Sequence, residues 1–563
     1  MRRLLRCAAV VAAGTLVLAG AGAGASGAAT STSPAAPHGT LTIANAIGSL
    51  WTCDFNPFLP YSASLSVGPV YEPLAFVDTF RNGRATPWLA TGWAWGDGNR
   101  TLTFTTRRGV RFSDGRPLTP ADVVFTFKLL KRFPALDANG IWSALSSVSR
   151  RGADQVVMRF RAPAASWFYA VADQVGIVPR AIWAKVAHPV TYADASPVGT
   201  GAFTVGRRTC TPENITYQAN PDYWQPGLPK VRTVHYPAFV TNYSANLALA
   251  RGQAQWGSQF IPSIKQFYVD RHPRDNHYWF PPLASNSLFI NLKNPILRSP
   301  AVRRAMAFAI SRRAASRLGE YGYEPPGDQA GIVTPTFSSW LDRRQAAAFG
   351  HDYADNPVRA IRILRAAGFR RGRDGIFARG GHRLSFTVIN NGGFSDWVAT
   401  INALSGQLRR AGIRLTPRDL PGGSYLERLE AGDFELAYGS EPGGPSPYYE
   451  LRQLLYSPGS APIGQPATSD FERYASRATD RLITAYEKTT SPAGQHRLVN
   501  RLELVMLRDV PVIPVTESVD WYEYDSGAFS GWPTRRDPYA QPSAYDYPDW
   551  GQVLLHLAPR QPS

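Results

Sequence analysis

A glycine- and proline-rich stretch, Tyr438-Gly-Ser-Glu-Pro-Gly-Gly-Pro-Ser-Pro-Tyr-Tyr449, carries a single acid, Glu441, beside the hydroxyls of Ser446, Tyr448 and Tyr449. Glycine and proline bend such a loop sharply. It suits hydrogen bonding to a neutral polyol, and equally a plain surface turn. Aromatic rings supply area elsewhere: the chain has 15 Trp and 25 Tyr, and Trp256, Trp521, Tyr522 and Tyr524 are among them. Rings of this size serve core packing and ligand stacking alike, since both bury large surfaces. Catalysis finds less to build on. The sequence has no Gly-x-Ser-x-Gly elbow, no His-Glu-x-x-His and no phosphate-cradling glycine loop, and its nine histidines stand singly. Two carboxylates could serve a glycoside hydrolase, but no spacing singles out a pair. The residue types point to binding rather than turnover, without cofactor or metal.

The amino-terminal end sets the compartment. Arg2, Arg3 and Arg6 precede an apolar run from Ala8 to Leu18, and small residues follow, with cleavage expected after Ala25, Ala28 or Ala29. This predicts a bacterial secretory signal peptide over residues 1–29, too short in its apolar part for a membrane span. No cysteine stands at the cleavage point for lipidation, and Cys7 leaves with the signal. Residues 30–38 read as a flexible linker. Cys53 and Cys210 then remain in an oxidising compartment, where a disulfide is the expected state. Two cysteines without a neighbouring histidine pair do not make a zinc site.

The formal charge of +18 raises the question of nucleic acid. The basic residues are nearly all arginines, only seven being lysines, and they form no long block. An exported chain with scattered arginines reads as a solvated surface, with adhesion to the cell envelope as a by-product and no nucleic-acid partner.

Strands and helices alternate along the chain. Leu41–Ala46 predicts a first strand, followed by the loop from Trp51 through Asn56 to Phe58. Leu102 and Phe104 alternate with threonines, and Val156, Met158 and Phe160 alternate with Val157, Arg159 and Arg161. Thr119-Pro120-Ala121-Asp122 has the cap, the proline and the early acid of a helix start, with Val123, Phe127 and Leu130 on one face. Ser299-Pro300, Asn356-Pro357 and Ser395 open three more helices. In the second of these Val358, Ile361 and Leu364 are expected to face inward, with Gly368 as the stop. Leu384–Ile389 before the last helix and Ile413–Thr416 after it complete a strand–helix–strand unit, so the fold class is α/β. No repeat of 20–50 residues is present.

The segment Phe112-Ser-Asp-Gly-Arg-Pro-Leu-Thr-Pro-Ala-Asp-Val-Val-Phe-Thr126 resembles the signature of family 5 extracellular solute-binding proteins, the oligopeptide/dipeptide-binding family of ABC importers. Further landmarks follow in family order: Gly199-Thr-Gly-Ala-Phe203, Asn220-Pro-Asp-Tyr-Trp224, Leu288-Phe-Ile-Asn291, Ala301–Ile310 and Gly432-Asp-Phe-Glu-Leu436. The resemblance implies a periplasmic-binding-protein type II-like fold, with two main lobes around a ligand cleft and an extra inserted domain. Lobe I would comprise residues 39–76, 196–290 and 516–563, the inserted domain II residues 77–195, and lobe III residues 291–515. Cys53 and Cys210 both fall in lobe I on this division.

The resemblance also implies a function: an extracytoplasmic receptor that captures a small solute and delivers it to a membrane permease by lobe closure, acting as a monomer. Trp256, Gln259 and Phe260 resemble the family's crossing segment beside the ligand, and Trp521 and Tyr522 lie where the chain returns to lobe I. Trp51 and Asn56 in the first loop join the candidate ligand contacts. In peptide-binding members the loop matching 438–449 carries an aspartate that pairs with the peptide amino terminus. Glu441 replaces it here, with Ser446 and Tyr448 beside it. The same loop resembles that of oligosaccharide-binding members, so peptides and neutral cello-oligomer-like sugars both stay open as ligands.

Overall fold

Two sheets, each the floor of one lobe, are linked by two short segments lying side by side. The computed structural model describes residues 39–561 apart from 350–352 and 354; the expected signal peptide (1–29) and linker (30–38) lie outside the described residues. The first sheet runs Asn276–Tyr278, Glu523–Asp525, Trp256–Gly257, Thr40–Ala44, Thr233–Pro237, Asn214–Ala219, Phe203–Thr204, with Cys210–Thr211 also paired to Asn214–Ala219. Thr40–Ala44 is parallel to both its neighbours. The second sheet runs Arg414–Leu420, Ser385–Asn391, Leu436–Ser440, Pro282–Ile290, Val512–Val519. Its first three strands are parallel, and Pro282–Ile290 runs antiparallel to both of its partners. Every residue of Pro282–Ile290 is buried, as a strand covered on both faces requires.

The chain passes between the sheets at 279–281 and returns at 520–522. Trp279 N donates to Tyr522 O at 3.0 Å, and Asp520 N donates to Pro281 O at 2.9 Å. This corrects the lobe III limits read from sequence, 291 and 515. Pro282–Ile290 and Val512–Val519 belong to the lobe III sheet, so both crossings lie outside those limits. Paired strands set a boundary that apolar sequence runs do not reveal. A third sheet, Ala90–Gly96, Thr101–Thr106, Gln155–Phe160, Leu145–Arg151, is antiparallel and lies within the inserted segment. It shares one hydrophobic core with lobe I, whereas lobe III has a core of its own.

Local chemistry accounts for the helix starts. In Pro120–Arg132 the Thr119 side chain and Asp122 form a reciprocal capping box, which satisfies two otherwise orphaned backbone donors. Asn356 caps Pro357–Ala366 through its side chain, which accepts from Arg359 N at 2.9 Å. The inward face of that helix is Ala360 and Leu364, while Val358 is 66 % exposed. The expectation that Val358 packs inward is therefore wrong: it sits about 200° around the axis from Ala360 in the 3.6-residue helix. Val157, expected on the outer face of its strand, is buried as well.

The landmark Gly199–Phe203 is structural. A Cβ on Gly199 would stand 1.9 Å from Val70 O, and one on Gly201 would stand 2.1 Å from Pro69 O. Only glycine allows this approach, which brings Thr200 to the buried carboxylate of Glu72. There Thr200 Oγ1, Trp88 Nε1, Tyr223 OH and Trp224 Nε1 all donate to Glu72, at 2.6–2.9 Å. Tyr223 and Trp224 belong to the Asn220–Trp224 landmark, so two of the recognisable segments meet on one acid.

Candidate functional site: the seam between the lobes

The lobes meet along two rims. On one, lobe I places Asn242 against the start of the helix Ser395–Arg410. Its side-chain amide donates to Asp396 Oδ1 at 2.9 Å and to Ser395 Oγ at 3.3 Å. Glycines make this approach close: a Cβ on Gly393 would stand 2.9 Å from Val240 O, and one on Gly48 would stand 3.0 Å from the Asn391 amide. On the other rim, domain II meets the 441–449 loop and its neighbours. Tyr449 OH donates to Ser166 O at 3.0 Å, Ser166 Oγ donates to Glu487 O at 2.8 Å, and Tyr169 packs edge-on against Tyr449 at 5.0 Å. A Cβ on Gly83 would touch Pro445 at 3.2 Å. The described conformation is closed.

The two crossings are wrapped by rings. Phe260 lies 5.4 Å from Trp521 and 5.8 Å from Tyr321, and Phe280 lies 4.8 Å from Trp521 and 5.6 Å from Tyr323. Tyr321 and Tyr323 come from lobe III, and Tyr323 OH accepts a hydrogen bond from Ile264 N of lobe I at 3.0 Å. Phe260 and Trp521, singled out from sequence, thus sit together at the hinge. Gln259 is buried next to them, donating to Asn246 Oδ1 at 3.2 Å.

The remaining candidates are not brought together. Trp51, Asn56, Trp256 and Tyr522 are buried in lobe I with their polar atoms committed to backbone. Trp51 Nε1 donates to Tyr236 O, Asn56 Nδ2 to Pro189 O and Tyr192 O, Trp256 Nε1 to Pro542 O, and Tyr522 OH to Pro533 O. In this form they pack the core. Ser446 and Tyr448 are held inside lobe III: Tyr448 stacks on Tyr486 at 3.9 Å, its hydroxyl donates to Glu487, and Ser446 Oγ is 3.2 Å from Tyr486 OH. Cys53 and Cys210 are bonded, with Cα atoms 5.8 Å apart.

Glu441 follows directly on the strand Leu436–Ser440. It is 3 % exposed, and its Oε1 has no hydrogen-bond partner. Burial, with Glu472 and Glu450 nearby, pushes its carboxyl well above the ordinary range. Sequence reasoning missed a second group of buried acids, at the return crossing. Asp520, on the return crossing, is buried with Oδ2 unpartnered, and burial together with Asp549 pushes it up. Asp546 is raised by burial and by Asp520. Nothing local marks these residues in sequence, because their proximity arises from the return of the chain to lobe I. Among the described residues no group of His, Cys, Asp and Glu could hold a metal ion, and no helix is long and apolar enough to cross a membrane.

These acids couple stability to pH. Burial raises Asp173, Glu450 and Glu472 to about 8, and Asp396 to about 6. Each keeps its proton in the folded chain at a pH where the unfolded chain has lost it. The stability they contribute is complete below the ordinary carboxylate range and is lost as pH rises through the folded values. The denaturation midpoint of the solute-free protein is accordingly expected to be higher near pH 5.5 than near about pH 8.5. Equal midpoints in a urea titration would show that these carboxyls ionise normally.

A pair of α/β lobes, hinged at two adjacent segments and closing over a polar seam, defines a solute-binding protein of the periplasmic type II architecture. The family model for bacterial extracellular solute-binding proteins, family 5 Middle, matches residues 84–462, and the chain belongs to this family. Among its relatives, Protein XP55 of Streptomyces lividans is 25 % identical over 421 residues, covering 73 % of this chain and 72 % of XP55. The oligopeptide-binding protein AppA of Bacillus subtilis is 25 % identical over 356 residues, covering 60 % of this chain and 62 % of AppA. Among solved structures, a mannohexaose-bound periplasmic oligopeptide-binding protein of an ABC transporter from Thermotoga maritima superposes with TM-score 0.85 at 24 % identity, covering 93 % of this chain and 99 % of that one. AppA of Bacillus subtilis with a nonapeptide gives TM-score 0.76 at 18 % identity, covering 93 % and 99 %.

Proposed function

We propose that the protein captures a solute bearing an amino group, a short peptide, between lobe I and lobe III, and presents it in the closed form to an ABC permease. The observation that carries this reading is the buried carboxyl of Glu441 with an oxygen lacking a partner, in the loop that meets domain II across the seam. An ammonium group would supply the donor and the charge that this acid lacks. Relatives named as oligopeptide-binding proteins support the same reading. No step of bond making or breaking is required, and the role is that of a receptor rather than an enzyme.

A neutral oligosaccharide is the second reading. It is favoured by the seam rings Tyr169 and Tyr449, and by the mannohexaose held by the Thermotoga maritima relative. Thermal shift against a peptide library and against manno- and cello-oligomers separates the two. A ligand present at a hundredfold excess over its Kd is expected to add about 2.7 kcal/mol of stability. The solute that does so should also leave the small-angle scattering radius equal to or smaller than that of the free protein. Stabilisation by sugars alone would replace the peptide assignment.

A further inference from the structure

The arginines that look scattered in sequence gather on one pole of lobe III. Between Pro357 and Arg383 all eight arginines are exposed, against a single acid, Asp374. They lie on the helix Pro357–Ala366, on the small antiparallel sheet Arg370–Arg371, Phe377–Arg379, His382–Arg383, and, for Arg373, in the turn between the first two of these strands. This sheet is fastened to the end of the helix Ser395–Arg410, which adds Arg409 and Arg410: Arg371 Nη2 donates to Arg410 O at 3.3 Å and Arg409 Nη2 to Asp374 O at 3.4 Å. Asp374 is already committed, pairing with Arg383 and with Arg414. Arg410 is paired as well, with Asp355. Among the described residues the other arginines of the face have no acidic partner at ion-pair distance, so the face carries a net positive charge.

Its position separates it from the seam. The sheet 370–383 feeds the start of the strand Ser385–Asn391, and the other end of that strand, Asn391, abuts Gly48 of lobe I. A strand of this length spans roughly 20 Å. The face also has apolar relief: Val358 is 66 % exposed and lines a surface hollow with Ile361, Arg362 and Arg365. An apolar floor between guanidinium groups matches the boundary between phosphate headgroup and glycerol in a lipid layer, whereas a soluble polyanion has no use for it.

We infer that this pole of lobe III docks on an anionic phospholipid surface, holding the receptor at the membrane while the seam stays free to open and close. Each arginine brought within a Debye length of such a surface raises affinity by about fivefold. The test is co-sedimentation of the full chain with phosphatidylcholine vesicles containing about one-third phosphatidylglycerol, compared with phosphatidylcholine alone. The protein is expected to sediment with the anionic vesicles only, and to be released by high salt. Combining Arg362→Glu, Arg365→Glu and Arg373→Glu should cut vesicle affinity by at least about 100-fold. The milder Arg362→Gln, Arg365→Gln and Arg373→Gln should fall in the same direction, with an unchanged melting curve. The control Arg132→Glu, Arg150→Glu, Arg151→Glu, in domain II, changes net charge equally and should keep most of the binding. Three results would overturn the inference: no sedimentation of the unaltered chain, equal loss in the control, or binding to soluble poly(glycerol phosphate) without binding to vesicles.

Discussion

Cys53→Ser or Cys210→Ser is expected to lower the unfolding free energy by about 2–5 kcal/mol, the cost typical of removing a native disulfide from an exported domain. The bond closes a loop with a sequence separation of 157 residues. In the chain-entropy account a loop of that length restricts the unfolded state by roughly 5 kcal/mol. It fastens the first loop of lobe I to the short strand Cys210–Thr211, and Trp51 N donates to Pro212 O at 2.9 Å beside it. The whole of the inserted domain lies inside this loop. Loss should therefore appear in the unfolding of lobe I and domain II, which share a core, and leave lobe III nearly unchanged. Urea titrations followed by probes in each lobe would check this. A serine variant with an unaltered midpoint in both would show that the hydrogen bonds around Trp51 hold the loop alone.

Glu441→Gln is expected to weaken peptide binding by about 2–5 kcal/mol while leaving the solute-free protein as stable as before, or more so. The two halves of this expectation have one cause. In the empty protein burial and the neighbouring Glu472 and Glu450 favour the protonated acid, which glutamine imitates in shape and neutrality. An ammonium ligand needs the ionised form, which glutamine cannot supply. Binding of a peptide to the unaltered protein should also release a proton from Glu441, so its calorimetric enthalpy should vary with the ionisation enthalpy of the buffer. A neutral sugar leaves the acid protonated and gives no such dependence. Peptide binding that survives Glu441→Gln unchanged would remove the amine anchor.

Much of the fold could be read before any coordinates, because helix starts are written in local chemistry. Thr119 and Asp122, or Asn356 before Pro357, make their capping bonds with residues three positions away. The lobe limits were less legible. Pro282–Ile290 reads as one more buried strand, and only its pairing with Leu436–Ser440 and Val512–Val519 assigns it to lobe III. The aromatic candidates divide for a similar reason. A tryptophan announces how much surface it will bury, not against what: Trp521 went to the hinge, Trp256 to the lobe I core. Glu441 was legible as the one acid of its loop, whereas Asp520 and Asp546 meet only through the return crossing. The arginine face was hidden in the opposite way, since residues spaced along a helix and a hairpin look dispersed until the backbone folds them onto one surface.

The adjacency of 279–281 and 520–522 has a consequence for how such receptors diversify. A segment whose two ends lie hydrogen-bonded to each other can be exchanged as a cassette, since a replacement need only present two termini at the same separation. Recombination at these points would graft the lobe III of one relative, with its Glu441 loop and its arginine pole, onto the lobe I and domain II of another, without cutting a strand in either sheet. Breaks at 290 and 515 instead would detach Pro282–Ile290 from the sheet it belongs to and cut Val512–Val519 within its length. Chimeras joined at the crossings should fold where those joined at 290 and 515 fail.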